Sequence, residues 1–281
     1  MDEQARTRAR GDLCPGVFRP WSADDGALVR LRLVGGAIPA SALHRLGEVS
    51  RTYGDGDVHL TARANLQVRG LPDPLGTEVE EALASTSLLP HPTHELVRNI
   101  MVSPLSGVAG GRADLRPVAA ALDAGLCGHP SLARLPGRFL FVLDDGRGDL
   151  LDRTLDLGCV AVSAGEAQLR LGSRAWGPVV PLAEVAPRLV GLARAFLSVR
   201  GDGPTAPWHI DELPASPEAH ERDPRTVVHS EPLGAGRVTP GLDHVVVPHG
   251  LLTPEHLADL PAEGSLVVTP WHGLLVPNDT P

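Results

Sequence analysis

The run Val58-His59-Leu60-Thr61-Ala62-Arg63-Ala64-Asn65-Leu66-Gln67-Val68-Arg69-Gly70 returns near the C-terminus as Leu266-Val267-Val268-Thr269-Pro270-Trp271-His272-Gly273-Leu274-Leu275-Val276-Pro277. Thr61 matches Thr269, Leu66 matches Leu274 and Val68 matches Val276. The lead-in repeats as well. Gly36-Ala37-Ile38-Pro39-Ala40-Ser41-Ala42-Leu43 stands against Gly250-Leu251-Leu252-Thr253-Pro254-Glu255-His256-Leu257. Copies this far apart are not a solenoid, whose units recur every few tens of residues. They predict two halves of one pseudo-symmetric domain with a different unit inserted between them.

Around the first copy, Leu28 to Val34 reads as a strand ending at Gly35-Gly36. Leu43, Leu46 and Val49 at helical spacing predict a helix from Pro39 to Tyr53, and Leu75 to Ser85 a second one. Val58 to Arg69 reads as one strand. On a strand, residues i and i+2 share a face, so Thr61, Arg63, Asn65 and Gln67 would form one polar face. A plain antiparallel sheet with one side in water gives the same alternation. The second half runs from about residue 226: strand Asp243–Val247, short helix Pro254–Leu260, strand Ser265–Val276.

The middle reads differently. A loop rich in small residues spans Arg98–Gly111 and an Ala/Leu-rich helix spans Asp114–Leu126. A buried strand, Arg138–Leu143, is closed by Asp144-Asp145-Gly146, and Gly158–Ser163 with Ala167–Leu171 forms a hairpin. A long helix, Leu182–Val199, is interrupted or restarted at Pro187. The expected organisation is a flexible arm (1–15), a first half-domain (16–87), an α/β domain (88–213), a linker (214–225) and a second half-domain (226–281). The class is α+β: two ferredoxin-like half-domains flanking an inserted α/β domain.

Composition narrows the function classes. A net charge of -9 argues against non-specific nucleic-acid binding, which needs a basic field. No apolar run approaches about 20 residues, so no membrane span is expected. The N-terminus lacks an apolar signal core, which makes the cytoplasm the expected compartment. All 25 basic residues other than His are Arg, so any strong cationic contact to an anion comes from a planar, bidentate fork. Cys14, Cys127 and Cys159 are far apart with no CxxC pair, too few for a zinc ribbon or a self-contained four-cysteine cluster. Asp144-Asp145-Gly146-Arg147-Gly148-Asp149 lacks calcium-loop spacing and reads as a solvated turn. Gly234–Gly241 is not a dinucleotide fingerprint, and Pro92 between His91 and His94 disfavours a helical zinc pair; no metal site is expected.

Leu28-Val29-Arg30-Leu31-Arg32-Leu33-Val34-Gly35-Gly36, then Leu60–Gln67, then Val97-Arg98-Asn99-Ile100-Met101-Val102-Ser103-Pro104-Leu105 resembles the siroheme-dependent nitrite and sulfite reductase superfamily. Leu135-Pro136-Gly137-Arg138-Phe139-Leu140-Phe141-Val142-Leu143 and Val268-Thr269-Pro270-Trp271-His272-Gly273 are most similar to its precorrin-3B synthase branch, which serves aerobic cobalamin biosynthesis. The resemblance covers roughly residues 14–278. It implies an oxidoreductase in which a siroheme or precorrin-type tetrapyrrole sits at the junction of the domains. Arg30, Arg63, Arg98 and Arg138 would bind anionic groups, with Gln67 and Asn99 as supporting polar contacts.

Two departures follow from the same comparison. The reductases carry a second basic residue two positions after the one matching Arg138; here that residue is Leu140, which weakens sulfite or nitrite reduction. The family's 4Fe-4S cluster uses four cysteines of a domain after the second half, and none of the three cysteines here matches. The expectation is therefore a truncated, substrate-binding portion, served by a separate cluster-bearing chain or electron donor. The alternatives are a non-catalytic tetrapyrrole carrier, a siroheme reductase fragment, or a degenerate interaction module.

Overall fold

The structure, a computed structural model, describes residues 12–203, 205–213, 219–228 and 230–278. Most of the arm expected over 1–15, and residues 214–218 of the expected linker, lie outside the described residues.

The repeated run is a hairpin, not one strand. In the first half, β1 (Trp21–Ala23), β2 (Gly26–Leu31) and β3 (Ala37–Pro39) precede helix α1 (Ala40–Tyr53). Strands β4 (Val58–Leu60) and β5 (Leu66–Leu71) follow, then helix α2 (Thr77–Ser85). Between β4 and β5 the chain reverses: the Ala64 amide donates to the Thr61 carbonyl (2.9 Å), and the Asn65 amide to the Thr61 hydroxyl (3.0 Å). Ala64 carries the left-handed φ of 55° that the reversal requires. The shared polar face expected of Thr61, Arg63, Asn65 and Gln67 is thereby corrected. Arg63 stands on the turn, Asn65 is buried, and Gln67 is half-buried on β5. A strand and a hairpin with no Gly or Pro at its turn give the same period-two pattern, so periodicity could not separate them.

The inserted unit contains β6 (Ile100–Val102), inside what reads as a loop, and helix α3 (Arg116–Cys127). Strands β7 (Phe141–Asp144), β8 (Leu157–Ala161), β9 (Glu166–Leu171) and β10 (Ala175–Pro181) lead into α4 (Leu182–Arg200). Its sheet has the order β10-β9-β8-β7-β6, with β6, β7 and β8 parallel and the rest antiparallel. Contrary to expectation, α4 continues through Pro187. The ring sits six residues into the helix, where the chain forgoes the one amide bond that residue 187 would make to the Ala183 carbonyl. Leu122, Leu126, Phe139, Phe141, Leu189 and Phe196 are among the residues of a core between these helices and the sheet.

The second half repeats the first: β11 (Gly236–Thr239), β12 (Leu242–Val246), β13 (Leu251–Leu252), α5 (Pro254–Ala258), β14 (Ser265–Thr269) and β15 (Gly273–Pro277). The halves exchange strands. The two sheets run β1-β2-β5-β4-β13 and β11-β12-β15-β14-β3, so each ends on a strand from the other half. The registers match: Leu252 pairs with Val58, and Ile38 with Leu266. One hydrophobic core runs through both halves, joining Ile38, Leu46 and Leu66 to Leu252, Leu266 and Leu274.

The exchange demands close backbone approach at two equivalent glycines. A Cβ on Gly36 would meet the Val268 carbonyl oxygen at 2.2 Å, and one on Gly250 the Leu60 carbonyl oxygen at 2.9 Å; both residues have positive φ. No helix among the described residues is long and apolar enough to cross a membrane.

The turn after β7 corrects another expectation: it is buried, not solvated. Asp144 and Asp145 are almost fully enclosed. Asp144 accepts from the amides of Gly146, Gly148 and Leu150, and Asp145 receives the Arg147 fork. Asp149, 3% exposed, accepts from the Ser103 hydroxyl at 2.6 Å. Burial, and then the neighbouring Asp144 charge, push the Asp149 carboxyl up to about 7.

Two outcomes are expected. Gly36→Ala lowers urea-unfolding stability by at least ~2 kcal/mol, because a left-handed backbone and a carbonyl both oppose the methyl. Gly56→Ala, also at positive φ but with open space around it, costs only about 1 kcal/mol. Separately, the folded state holds the Asp149 proton up to about pH 7, whereas the unfolded chain releases it near the usual carboxylate value. Stability therefore falls as pH rises between about 4 and 7, by up to about 1.4 kcal/mol per unit from this group. Asp149→Asn removes that contribution, so thermal melts of variant and wild type should diverge across this window and run parallel above it.

Candidate binding site

A cleft of about 660 Å³ opens where the first half, the inserted unit and the segment after α4 meet. Its walls include Cys14 and Pro15 from the N-terminal segment, Trp21 on β1, Leu28 and Arg30 on β2, and the Thr61–Arg63 turn. Arg138, just before β7, and Trp208 complete it. Three of the six sequence candidates, Arg30, Arg63 and Arg138, therefore converge on one cavity. Its size lies within the usual range for small-molecule sites.

Gln67 supports Arg30 from the adjacent strand. With its amide oriented so that the oxygen faces the guanidinium, it accepts from Arg30 Nε at 3.0 Å and Nη2 at 2.6 Å. Arg63 Nη1 donates to the Arg138 carbonyl at 3.1 Å, which ties the hairpin turn to the inserted unit. Among the described residues none of these three arginines has an ion-pair partner. Burial lowers the affinity of Arg30 and Arg63 for their protons, and the neighbouring guanidiniums add to it: Arg63 acts on Arg30, and Arg138 on Arg63. The Cys14 thiol acts the other way on both. Partly buried cations without counter-ions favour a bound anion.

Asp12 is the acidic lining residue. Burial raises its carboxyl, but the amides of Cys14 and Gly137 outweigh that and hold it below the ordinary value. Its oxygens accept from those two amides and lie 3.5 Å from Arg19, so they are engaged in the wall itself.

The other two candidates lie elsewhere. Arg98 does not line the cleft. Its Nε and Nη2 reach the Asp123 carboxylate at 2.6 and 2.8 Å, a bidentate pair that anchors α3. Asn99 is 2% exposed and its amide donates to the carbonyls of Gly137 (2.8 Å), Phe139 (3.2 Å) and Leu96 (3.2 Å). Its oxygen accepts from Arg32 Nε at 2.9 Å and from Asn65 at 3.4 Å. Arg32 also donates to the carbonyls of Pro15 and Gly137. Burial brings its guanidinium down to about 10, still charged at neutral pH. Arg32 and Asn65 thus complete a frame behind the cleft that sequence reading did not single out. Strand spacing gave no signal of this: it would put Arg30 and Arg32 on one face, but β2 ends at Leu31, and Arg32, just past it, is buried.

Leu140 faces a small apolar cluster with Met101, Val142, Leu150 and Leu155, so no basic side chain reaches the cleft from that position. Behind it the buried Asp156 accepts from the amides of Leu140 and Ile210 and lies 3.7 Å from His209, beside Trp208. The arginine lining and the two tryptophans fit a flat polycarboxylate. The cysteines do not fit a cluster: Cys14 lies in the cleft wall, Cys127 ends α3 beside Arg98, and Cys159 is buried in β8.

Residues 22–86 match the family model of the nitrite/sulfite reductase ferredoxin-like half domain. A precorrin-3B synthase from Sinorhizobium sp is 29% identical over 138 residues, 49% of this chain and 29% of that protein. A ferredoxin–nitrite reductase from Synechococcus elongatus is 28% identical over 197 residues, 62% of this chain and 38% of that protein. Among solved structures, the Mycobacterium tuberculosis NirA protein superposes with a TM-score of 0.63 at 18% identity, covering 98% of this chain and 58% of its own. The chain thus spans well under half the length of these two curated relatives.

The frame and the lining should separate in experiment. Asn99→Ala removes the partner of the Arg32 Nε and of the Leu96 and Phe139 carbonyls, leaves the Gly137 carbonyl with Arg32 alone, and should cost about 3 kcal/mol in urea unfolding. Arg138→Ala removes an exposed side chain but keeps the backbone carbonyl that accepts from Arg63, and should change stability by less than about 0.5 kcal/mol.

Proposed function

We propose that this chain, which has the nitrite/sulfite reductase fold and carries that family's ferredoxin-like half domain, binds a polycarboxylate tetrapyrrole of the siroheme or precorrin type. The supporting observation is the convergence of Arg30, Arg63 and Arg138, without ion-pair partners among the described residues, on one cleft walled by Trp21 and Trp208. Arginine forks match carboxylates in bidentate geometry, and aromatic walls match a flat macrocycle. The activity in which such binding would serve is an oxidation of a precorrin in cobalamin biosynthesis, similar to that of precorrin-3B synthase. Here the chain's own residues would hold and orient the substrate. A siroheme or an iron–sulfur centre, when present in such a system, supplies the redox chemistry, and the cysteines of this chain are not placed to hold a cluster.

A second reading, a tetrapyrrole carrier without catalysis, is favoured by that same scattering of the cysteines. A nitrite or sulfite reductase role is disfavoured by the inward-facing Leu140.

Titration with siroheme, followed by its visible absorption, tests the binding common to both readings. Saturable spectral shifts are expected, weakening as salt screens the ion pairs. Arg30→Ala, Arg63→Ala and Arg138→Ala should each weaken binding by about 10- to 100-fold, the worth of one charge-assisted contact. Heme, with fewer carboxylates, should bind more weakly. Arginine variants that bind siroheme as tightly as the wild type would sink the proposal.

A further inference from the structure

We propose that Arg153 is the positioning residue of the cleft: its single guanidinium ties together the two symmetry-related hairpin turns and thereby fixes where Arg63 stands. Nη1 donates to the Ala62 carbonyl and Nη2 to the Pro270 carbonyl, each at 3.4 Å. These two acceptors are equivalent. Matching Thr61 to Thr269 places Ala62 on Pro270, Arg63 on Trp271, and Ala64 on His272, the two residues with matching left-handed φ of 55° and 57°. Equal distances to equivalent atoms set the guanidinium between the two turns.

Arg153 does not belong to either half. It lies in the β7–β8 connection of the inserted unit, half-buried, and reaches out to both turns. The planar fork suits this task, because its two terminal nitrogens point at two separate acceptors while the plane stays fixed; a lysine ammonium has no such fork. Asp149, in the same connection, is the carboxylate whose charge acts favourably on Arg153. The consequence reaches the cleft through one peptide unit. Ala62 and Arg63 both line it, and the carbonyl that Arg153 holds belongs to the residue immediately before Arg63. Arg63 is thus held at two points, the preceding peptide carbonyl by Arg153 and its side chain by the Arg138 carbonyl.

This inference rests on the reading of the cleft as a tetrapyrrole site, and its test separates the two. Siroheme affinity is measured for wild type, Arg153→Ala, Arg153→Lys, Arg63→Ala and the Arg63→Ala/Arg153→Ala double variant, alongside hydrogen exchange of peptides covering residues 61–66 and 269–274. Arg153→Ala should weaken siroheme binding by about 5- to 10-fold in the wild-type background and by less than 2-fold once Arg63 is gone, since Arg153 acts through Arg63. Both peptides should exchange faster in Arg153→Ala. Arg153→Lys, which keeps the charge but loses the fork, should recover only part of the affinity. The same fold-loss with and without Arg63, or unchanged exchange in both peptides, would overturn the assignment. Should Arg153→Ala not fold, Arg153→Lys and Arg63→Ala/Arg153→Lys carry the same comparison. Failure of wild type to bind siroheme would defeat the tetrapyrrole reading alone, and exchange at the two turns would still decide whether Arg153 ties them.

Discussion

The side-chain amide of Asn99 is the constraint on which the site depends. Its nitrogen donates to three carbonyls of the inserted unit, and its oxygen receives Arg32 from the first half and Asn65 from the hairpin. Asn65 in turn accepts from the Leu33 amide at 2.9 Å. A buried polar network is stabilising only when every member is satisfied, and this one is closed on all sides. It fixes the height of the Thr61–Asn65 turn relative to the Gly137–Phe139 segment. Arg63 stands on the first of these and Arg138 on the second. Two cations that repel one another are thus held close by neutral amides behind them.

The reciprocal exchange of β3 and β13 supplies a second, independent constraint. Neither half closes its sheet alone, so the halves are bound by a shared core as well as by an interface. Such an arrangement is free to let its two copies diverge in chemistry while the frame stays common. The register pairs Arg30 with Gln67 in the first half and His244 with Leu275 at the equivalent place in the second. His244 is turned inward, with its ring nitrogens within 3.0 Å of the Thr269 hydroxyl and the Gly234 carbonyl. Trp271 replaces Arg63. Only the first copy lines the cleft with arginines, Arg30 and Arg63; neither His244 nor Trp271 lines it.

What the sequence revealed follows the range of the interactions concerned. The halves and the insertion were legible from the repeat of Val58–Gly70 at Leu266–Pro277, and the helices because apolar spacing is a local property, read off Leu43, Leu46 and Val49 without knowledge of partners. The exchange of β3 and β13 was not, since their three and two residues pair with strands from the other half and carry no local signal of it. The hairpin was hidden because Ala64 takes the left-handed conformation that a sequence normally announces with Gly or Asn. At the site, an arginine pattern identified the right residue type but not its role. Arg98 and Arg138 look alike in sequence, and only the presence of Asp123 on a helix 25 residues away separates an anchor from a free fork.

The contrast between these arginines carries the functional argument further than their number does. Arg32 and Arg98 are buried and Arg147 is half-buried, and each donates to acceptors of the protein. Arg30 and Arg63 are half-buried, and neither has an ion-pair partner among the described residues; burial first, and then one neighbouring guanidinium each, weakens their hold on protons, while Cys14 opposes this at both and Asp156 at Arg63. Folding leaves that repulsion in place, and a ligand bearing several carboxylates removes it on binding. On the proposed reading, a singly charged anion would relieve one guanidinium, whereas a flat polycarboxylate would relieve all three and cover Trp21 and Trp208.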